Sequence, residues 1–243
     1  MTPQELLRAA KLNEAIRVLG SEVRENPTDI KRRTFLFELL CFAGEFDRAA
    51  KQLNVLAQGS ADAENGALLH RSALVAERQR GLFFESGESA SVEQVSASRS
   101  GTINGRSFTT LEDADPRIGP RLEFFVAGEY MQLPFEYINT IRMEAPRLLR
   151  DLLWATARIT ASPTAKSGEL GEVLLPVLYP FSWKYPSDEV RLGRVTEWQN
   201  VNGKGELPAG QKLLVVDGEE IVPFLEIREI TFNSSAVEQS ASA

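Results

Sequence analysis

The sequence predicts an α+β protein, with N-terminal tetratricopeptide-like (TPR-like) helical hairpins followed by a mostly antiparallel β-rich domain. Three observations predict it. Apolar residues in the first 86 positions recur at spacings of three and four, the period of one helix face. Several of those positions recur again 34 residues later. Beyond about residue 102 the pattern changes to short alternating runs punctuated by turn residues.

The helical half carries its own start and stop signals. Thr2-Pro3-Gln4-Glu5 combines a capping threonine, a proline suited to the first helical position, and a glutamate that completes a capping box. Leu6, Leu7 and Ala10 form the first apolar face. Leu12, Ala15, Ile16, Leu19 and Val23 extend the pattern over residues 12–25. Asn26-Pro27-Thr28 stops that helix. A third runs from Ile30 to Phe42 and stops at Gly44. A fourth runs from Phe46 to Leu56, and a last one from about Asp62 to Phe84. Leu12 and Phe46, Ala15 and Ala49, Leu19 and Leu53, and Ala10 and Gly44 all stand 34 residues apart. That is the length of a TPR unit. The first repeat is truncated and the third degenerate. Solenoids need about three repeats to bury a continuous core, so this array is expected to lean on the second half.

Residues 87–104 are rich in serine and read as a linker or surface excursion, either mobile or packed. The β-rich domain is assigned to 105–232, and 233–243 to a frayed tail. Arg121–Val126 and Glu129–Leu133 flank Ala127-Gly128 as a hairpin. Tyr137–Met143, Gly171–Tyr179 and Arg194–Trp198 read as strands. Leu148–Ile159 is ambiguous: residues 150–154 suit a helical turn entering a strand. Lys212–Val216 and Glu219–Val222 flank Asp217-Gly218, the strongest hairpin signal. Glu226–Phe232 is expected to extend that same sheet.

Composition limits the functional classes. Hydrophobic residues at 43% and charged residues at 25% are ordinary globular values. No run approaches the roughly 20 apolar residues that span a bilayer, and no secretory leader is read at the N-terminus. Cys41 is the single cysteine, so no intrachain disulfide can form. These features fit the cytoplasm. Residues 1–86 balance 12 basic against 12 acidic groups, and the remainder holds 15 against 22. The net charge of −7 therefore lies in the second half, and its field repels nucleic acid and anionic membranes.

Catalytic and metal signatures are not read. His70 is the only histidine, on the last helix among leucines, where a structural role is expected. One cysteine and one histidine cannot make a zinc site. No cofactor is expected. Gly205–Lys212 resembles a phosphate loop but lacks the Gly-Lys-Ser/Thr ending and leads into a strand, so it reads as a turn. Glu112, Asp113 and Asp115 cluster beside Arg117 and Arg121. Asp113, Asp115, Arg117 and Arg121 are expected to pin a loop through arginine–carboxylate contacts, and an acid/base pair or a calcium site is the competing reading. Trp154, Trp183 and Trp198 are either pocket or core residues.

Glu112-Asp-Ala-Asp-Pro-Arg-Ile-Gly-Pro-Arg-Leu-Glu-Phe-Phe-Val-Ala-Gly-Glu-Tyr130 resembles the ImpE family, also called TagJ or SciE-type, of bacterial type VI secretion clusters. Leu133–Glu136, Pro146–Trp154, Gly171–Tyr179 and Val190–Trp198 continue the likeness. Ala10–Leu19, the element from Gly44 to Ala49, and Ala73–Arg78 fit its helical half. The resemblance covers roughly residues 3–232. It implies a non-enzymatic accessory protein that binds a helix near the N-terminus of the small contractile-sheath subunit (TssB/VipA-like). The ClpV-like unfoldase is implied as an indirect partner. A general TPR-type scaffold for a different peptide is the alternative. In such arrays the first helix of each pair lines the binding groove. Lys31, Thr34, Phe35, Glu38, Cys41 and Phe42 of the Ile30–Phe42 helix are therefore the expected contact residues.

Overall fold

The computed structural model describes residues 1–59, 61–87, 99–162, 171–201 and 205–233. Five helices come first: α1 (Pro3–Arg8), α2 (Leu12–Glu25), α3 (Ile30–Phe42), α4 (Phe46–Leu56) and α5 (Ala61–Ser86). Each packs against the next. Thr2 caps α1 in a complete capping box, with Glu5 N–H donating to Thr2 Oγ1 at 3.2 Å and Thr2 N–H to Glu5 Oε2 at 2.8 Å. Leu12, Ala15, Ile16, Leu19 and Val23 are all buried, so the apolar stripe of α2 is its packed face.

The two turns related by the 34-residue offset share one geometry. Ala10 has φ 52° and Gly44 has φ 70°. Lys11 N–H returns to Leu6 O and Glu45 N–H to Leu40 O, both at 2.9 Å, closing the preceding helix with a left-handed residue. Gly44 carries a further constraint. A Cβ built there would lie 2.3 Å from Cδ2 of Trp183, in the second half of the chain.

The strand half begins at Gly101, inside the span expected to be a linker. Its elements are β1 (Gly101–Ile103), β2 (Arg106–Phe108), β3 (Leu111–Asp113), β4 (Arg121–Val126), β5 (Glu129–Pro134), β6 (Ile138–Met143), β7 (Trp154–Ala161), β8 (Gly171–Pro176), the short helix α6 (Asp188–Arg191), β9 (Thr196–Val201), β10 (Gly205–Gly210), β11 (Leu213–Val216), β12 (Glu220–Pro223) and β13 (Glu229–Phe232). An eight-stranded sheet runs β2-β1-β13-β6-β7-β8-β4-β5. A three-stranded sheet runs β12-β11-β3, and β9 pairs with β10. Every pairing is antiparallel.

Both predicted hairpins form. Ala127 and Gly128 close β4 onto β5 with φ 51° and 87°, the sense of a type I′ turn. Asp217 and Gly218 are likewise at positive φ. The ambiguous segment resolves as a 3-10 turn over Leu149–Leu152 leading into β7. Two readings need correction. Gly205–Gly210 is a strand, not a turn: Pro208 lies opposite Trp198 in a two-stranded ribbon, where each strand keeps an unpaired edge that tolerates a missing N–H. Glu226–Phe232 does not extend the β11–β12 sheet. The 3-10 turn Phe224–Glu226 redirects the chain, and β13 enters the large sheet between β1 and β6. The Ser-rich stretch falls largely, and the tail almost wholly, outside the described residues.

Two apolar cores result. One lies between the sheets, built from residues such as Phe124, Ile141, Ile159, Leu175, Leu214 and Phe232. The other belongs to the helices but is completed by Phe125, Leu153, Trp154 and Leu192 of the strand half. Alternation along β4 explains how one strand serves both: Leu122 and Phe124 face the sheet core, and Phe125 faces the helices. The strand half also caps the helices. No side chain caps α2 locally, and Asp188 Oδ2 accepts Leu12 N–H at 2.7 Å instead. Arg194 donates to the carbonyls of Leu7 and Arg8 at the end of α1. A carboxylate at a helix start and a guanidinium at a helix end both match the helix dipole.

Gly44→Ala is expected to lower stability by about 2 kcal/mol or more, because the new methyl meets Trp183 in a disfavoured backbone region. Ala10→Gly, at the equivalent turn, is expected to stay within about 1 kcal/mol of the parent. Urea denaturation of both variants checks the pair.

Candidate functional site

The residues expected to bind a partner through α3 occupy two environments. Lys31 is exposed, and Thr34 and Phe35 are half-buried. Glu38, Cys41 and Phe42 are buried, at 7%, 3% and 1% exposure. The strand half covers them. Arg150 Nη1 donates to Glu38 Oε1 at 3.1 Å, and Leu153 and Trp154 join the core around Cys41 and Phe42. The C-terminal half of α3 is therefore covered by the protein's own chain. Burial pushes the Glu38 carboxyl up, against the pull of Arg150. It pushes the Cys41 thiol well up, helped by Glu77 and Glu38. A buried thiol held in its protonated form is a poor nucleophile.

Behind this surface lies a buried ionic cluster that joins three elements of the fold. Arg80 of α5 grips Glu123 of β4 with two bonds, Nε to Oε1 at 2.9 Å and Nη2 to Oε2 at 2.8 Å. Lys212, just before β11, sits 2.5 Å from Glu123 Oε2 and 2.8 Å from Asp113 Oδ2 of β3. Arg80 also donates to Leu178 O at 3.0 Å and Glu77 Oε1 at 3.2 Å. Tyr130 O–H donates to Glu123 Oε1 at 2.8 Å and accepts from Gln132 Nε2. Alternation places Glu123 on the same face of β4 as Phe125, toward the helices.

The electrostatics follow from burial and pairing. Burial alone would raise the Glu123 carboxyl, but Arg80 and Lys212 outweigh it and hold the group well below the usual range. Burial opposes the charge on Lys212, and Asp113 with Glu123 keep the ammonium protonated. Asp113 is the weakest member: burial, only partly offset by Lys212, pushes it up to about 6. Tyr130 is pushed far up by burial and the adjacent Glu123.

The acidic loop divides its partners. Asp115 accepts Arg117 N–H at 3.0 Å and its Nε–H at 2.9 Å. Asp113 Oδ1 accepts Asp115 N–H at 2.8 Å, while its other oxygen turns to Lys212. The Arg117 guanidinium also lies 4.8 Å from the centre of the Phe84 ring, tying the loop to α5. Arg121 is largely buried, and desolvation lowers its pKa. His70 faces the Phe37 ring edge-on at 5.6 Å, its Nδ1 2.7 Å from Gly66 O, and burial lowers its pKa. Among the described residues no group of three metal-ligating side chains comes together. Sequence reasoning missed Arg80, Glu123 and Lys212. Their only sequence signal was charge at positions where the pattern calls for buried residues.

Trp154 is buried, Trp198 is exposed on β9, and Trp183 is half-buried. Trp183 lines an open cleft of about 340 Å³ with Phe46, Leu82, Glu85 and Phe181. Lys184 Nζ lies 4.4 Å from the Phe181 ring centre and 4.9 Å from that of Trp183, and pairs with Glu85 at 3.1 Å.

The molecule is thus an α+β protein in which a short helical array is locked onto antiparallel sheets by paired, buried ions. The family model for ImpE protein matches residues 105–231. The type VI secretion system accessory component TagJ of Pseudomonas aeruginosa is 32% identical over 96% of this chain and 91% of its own length. The chain belongs to the ImpE family. The crystal structure of protein VPA1032 from Vibrio parahaemolyticus superposes with a TM-score of 0.83, covering 97% of this chain and 99% of that one at 23% identity, which shows a shared fold.

Two outcomes are expected at this site. Glu123 ionises below its ordinary value of 4.5 in the folded protein, so the unfolded chain takes up the proton first. The stability due to this carboxylate is complete above about pH 4.5 and drains as pH falls toward the folded value. Glu123→Gln is expected to cost about 3–5 kcal/mol at neutral pH and to remove up to about 1.4 kcal/mol per pH unit from the acid limb, as read by urea denaturation from pH 3 to 7. Cys41 is expected to react with a thiol reagent only once the protein is denatured, and reaction of the native protein within minutes would contradict its burial.

Proposed function

We propose that this protein is a non-enzymatic, cytoplasmic accessory component of a bacterial type VI secretion system. In this reading it binds the N-terminal helix of the small sheath subunit (TssB/VipA-like). It thereby assists sheath assembly, or sheath recycling by a ClpV-like unfoldase. The observation that carries the reading is the 32% identity, over nearly the whole chain, to a protein named as such an accessory component. Three further observations support it. The ionisable groups that suggested catalysis, Asp113 and Asp115, are used in buried pairs. No helix among the described residues is long and apolar enough to cross a membrane. The N-terminal helices pack as sequential neighbours, and two of their turns, 34 residues apart, share a left-handed residue, a repeat that suits the reading of a surface for a partner helix.

Purified full-length protein is expected to form a discrete complex with the folded small sheath subunit from the same gene cluster. It is expected to form none with that subunit lacking its N-terminal helix. Size-exclusion chromatography with light scattering reads both results. No complex with the intact subunit, or equal binding to the truncated one, overturns the reading.

A further inference from the structure

The longest helix leaves one face uncovered. Leu68, Val75 and Leu82 of α5 are 60%, 46% and 67% exposed. They stand seven residues apart, and so form one ridge about 21 Å long on the solvent side of the helix. The residues around them are already used. Ala67, Ala73, Leu74 and Ala76 are buried in the helical core. Gln79 accepts the N–H of Tyr130 on β5. Three large apolar groups in register on a solvent-facing helix are uncommon unless something covers them.

The ridge has unlike edges. On one side stand Glu64, Arg71 and Arg78, each one helical turn before an apolar residue of the ridge, so the edge is basic along its Val75–Leu82 half. Arg71 donates to a neutral acceptor, Asn54 Oδ1, at 3.0 Å. Arg78 pairs with Asp47, whose own side chain is 90% exposed. On the other side stand the uncharged Ser72 and Gln79. At its C-terminal end the ridge meets the cleft of about 340 Å³, where Leu82 joins Phe46, Phe181 and Trp183.

We infer that this ridge is the docking surface for the partner, and that the occupant is an amphipathic α-helix carrying acidic residues along one flank. The inference rests on the proposed function for the identity of that helix. A seven-residue apolar spacing matches the seam of a helix laid alongside, whereas a β-strand repeats every two residues. The Arg71–Arg78 edge calls for carboxylates on the facing flank of the partner. The cleft beside Leu82 takes one bulky apolar side chain as an anchor. A second copy of this chain fits less well, because antiparallel self-pairing centred on Val75 would set Arg71 against Arg78 of the other copy.

The test uses the full-length protein in cells that carry the secretion cluster. A photo-crosslinking phenylalanine analogue replaces Val75, and the crosslinked peptide is mapped by mass spectrometry. The expected result is a helical segment of the small sheath subunit. Val75→Glu with Leu82→Glu is expected to weaken capture of that subunit at least tenfold with an unchanged thermal midpoint, since both side chains face solvent. Arg71→Glu with Arg78→Glu is expected to weaken it in the same direction. A crosslink to an acidic amphipathic helix of a different component keeps the ridge and removes the sheath reading. Undiminished capture by the Val75/Leu82 variant without any crosslink overturns the ridge and leaves the sheath reading standing. Loss of both signals in the unsubstituted protein removes both, and crosslinks to a second copy alone overturn the ridge as a partner surface.

Discussion

Arg80, Glu123, Lys212 and Asp113 form the contact on which the remaining architecture turns. Arg80 comes from the last long helix, Glu123 from the large sheet, and Lys212 and Asp113 from the three-stranded sheet and its approach. Two cations and two carboxylates are nearly completely buried together. Desolvating any one of them alone would be costly, and their mutual attraction offsets that cost only when all four meet at hydrogen-bond distance. The cluster therefore discriminates sharply between the native docking of helices on sheets and any slipped arrangement. Its contribution is to specificity more than to total stability, since an apolar cluster of the same volume would also hold the layers together.

The helical array depends on that docking. Its core is closed by Phe125, Leu153, Trp154 and Leu192, and the junction between its first two helices is capped by Asp188 and Arg194. These groups do what a further repeat does in a longer solenoid. They also determine which helix faces stay available. The C-terminal half of α3 is covered, and the face of α5 that carries Leu68, Val75 and Leu82 is not. A groove assignment transferred from longer arrays would place the partner on residues that the protein has already buried.

The thiol, the histidine and the clustered carboxylates each have a structural use. Cys41 is buried in the same core as Trp154, His70 meets the Phe37 ring edge-on, and Asp115 holds Arg117. The α5 ridge and the cleft lined by Phe181 and Trp183 lie at the surface beside charged groups such as Arg78 and Glu85.

Local structure was legible where it depends on neighbours in sequence. The capping box at Thr2, the five helices, the turns at Ala10 and Gly44, and the Ala127-Gly128 and Asp217-Gly218 turns all follow from short-range rules of periodicity, capping and turn chemistry. The strand at Gly205–Gly210 was not legible, since its proline and glycines signal a turn until Thr196–Val201 is known to lie beside it. Nor was the sheet that β13 joins, because pairing partners distant in sequence are set by packing. The sequence by itself determined the five N-terminal helices, the hairpins at Ala127-Gly128 and Asp217-Gly218, the absence of an intrachain disulfide and the acidity of the second half. Only the tertiary structure decided that Glu38, Cys41 and Phe42 are interior, that Arg80, Glu123 and Lys212 meet in one cluster, and that Leu68, Val75 and Leu82 stay exposed. The reason is that burial belongs to pairs of surfaces: a helix face is core or interface according to what the distant chain lays against it.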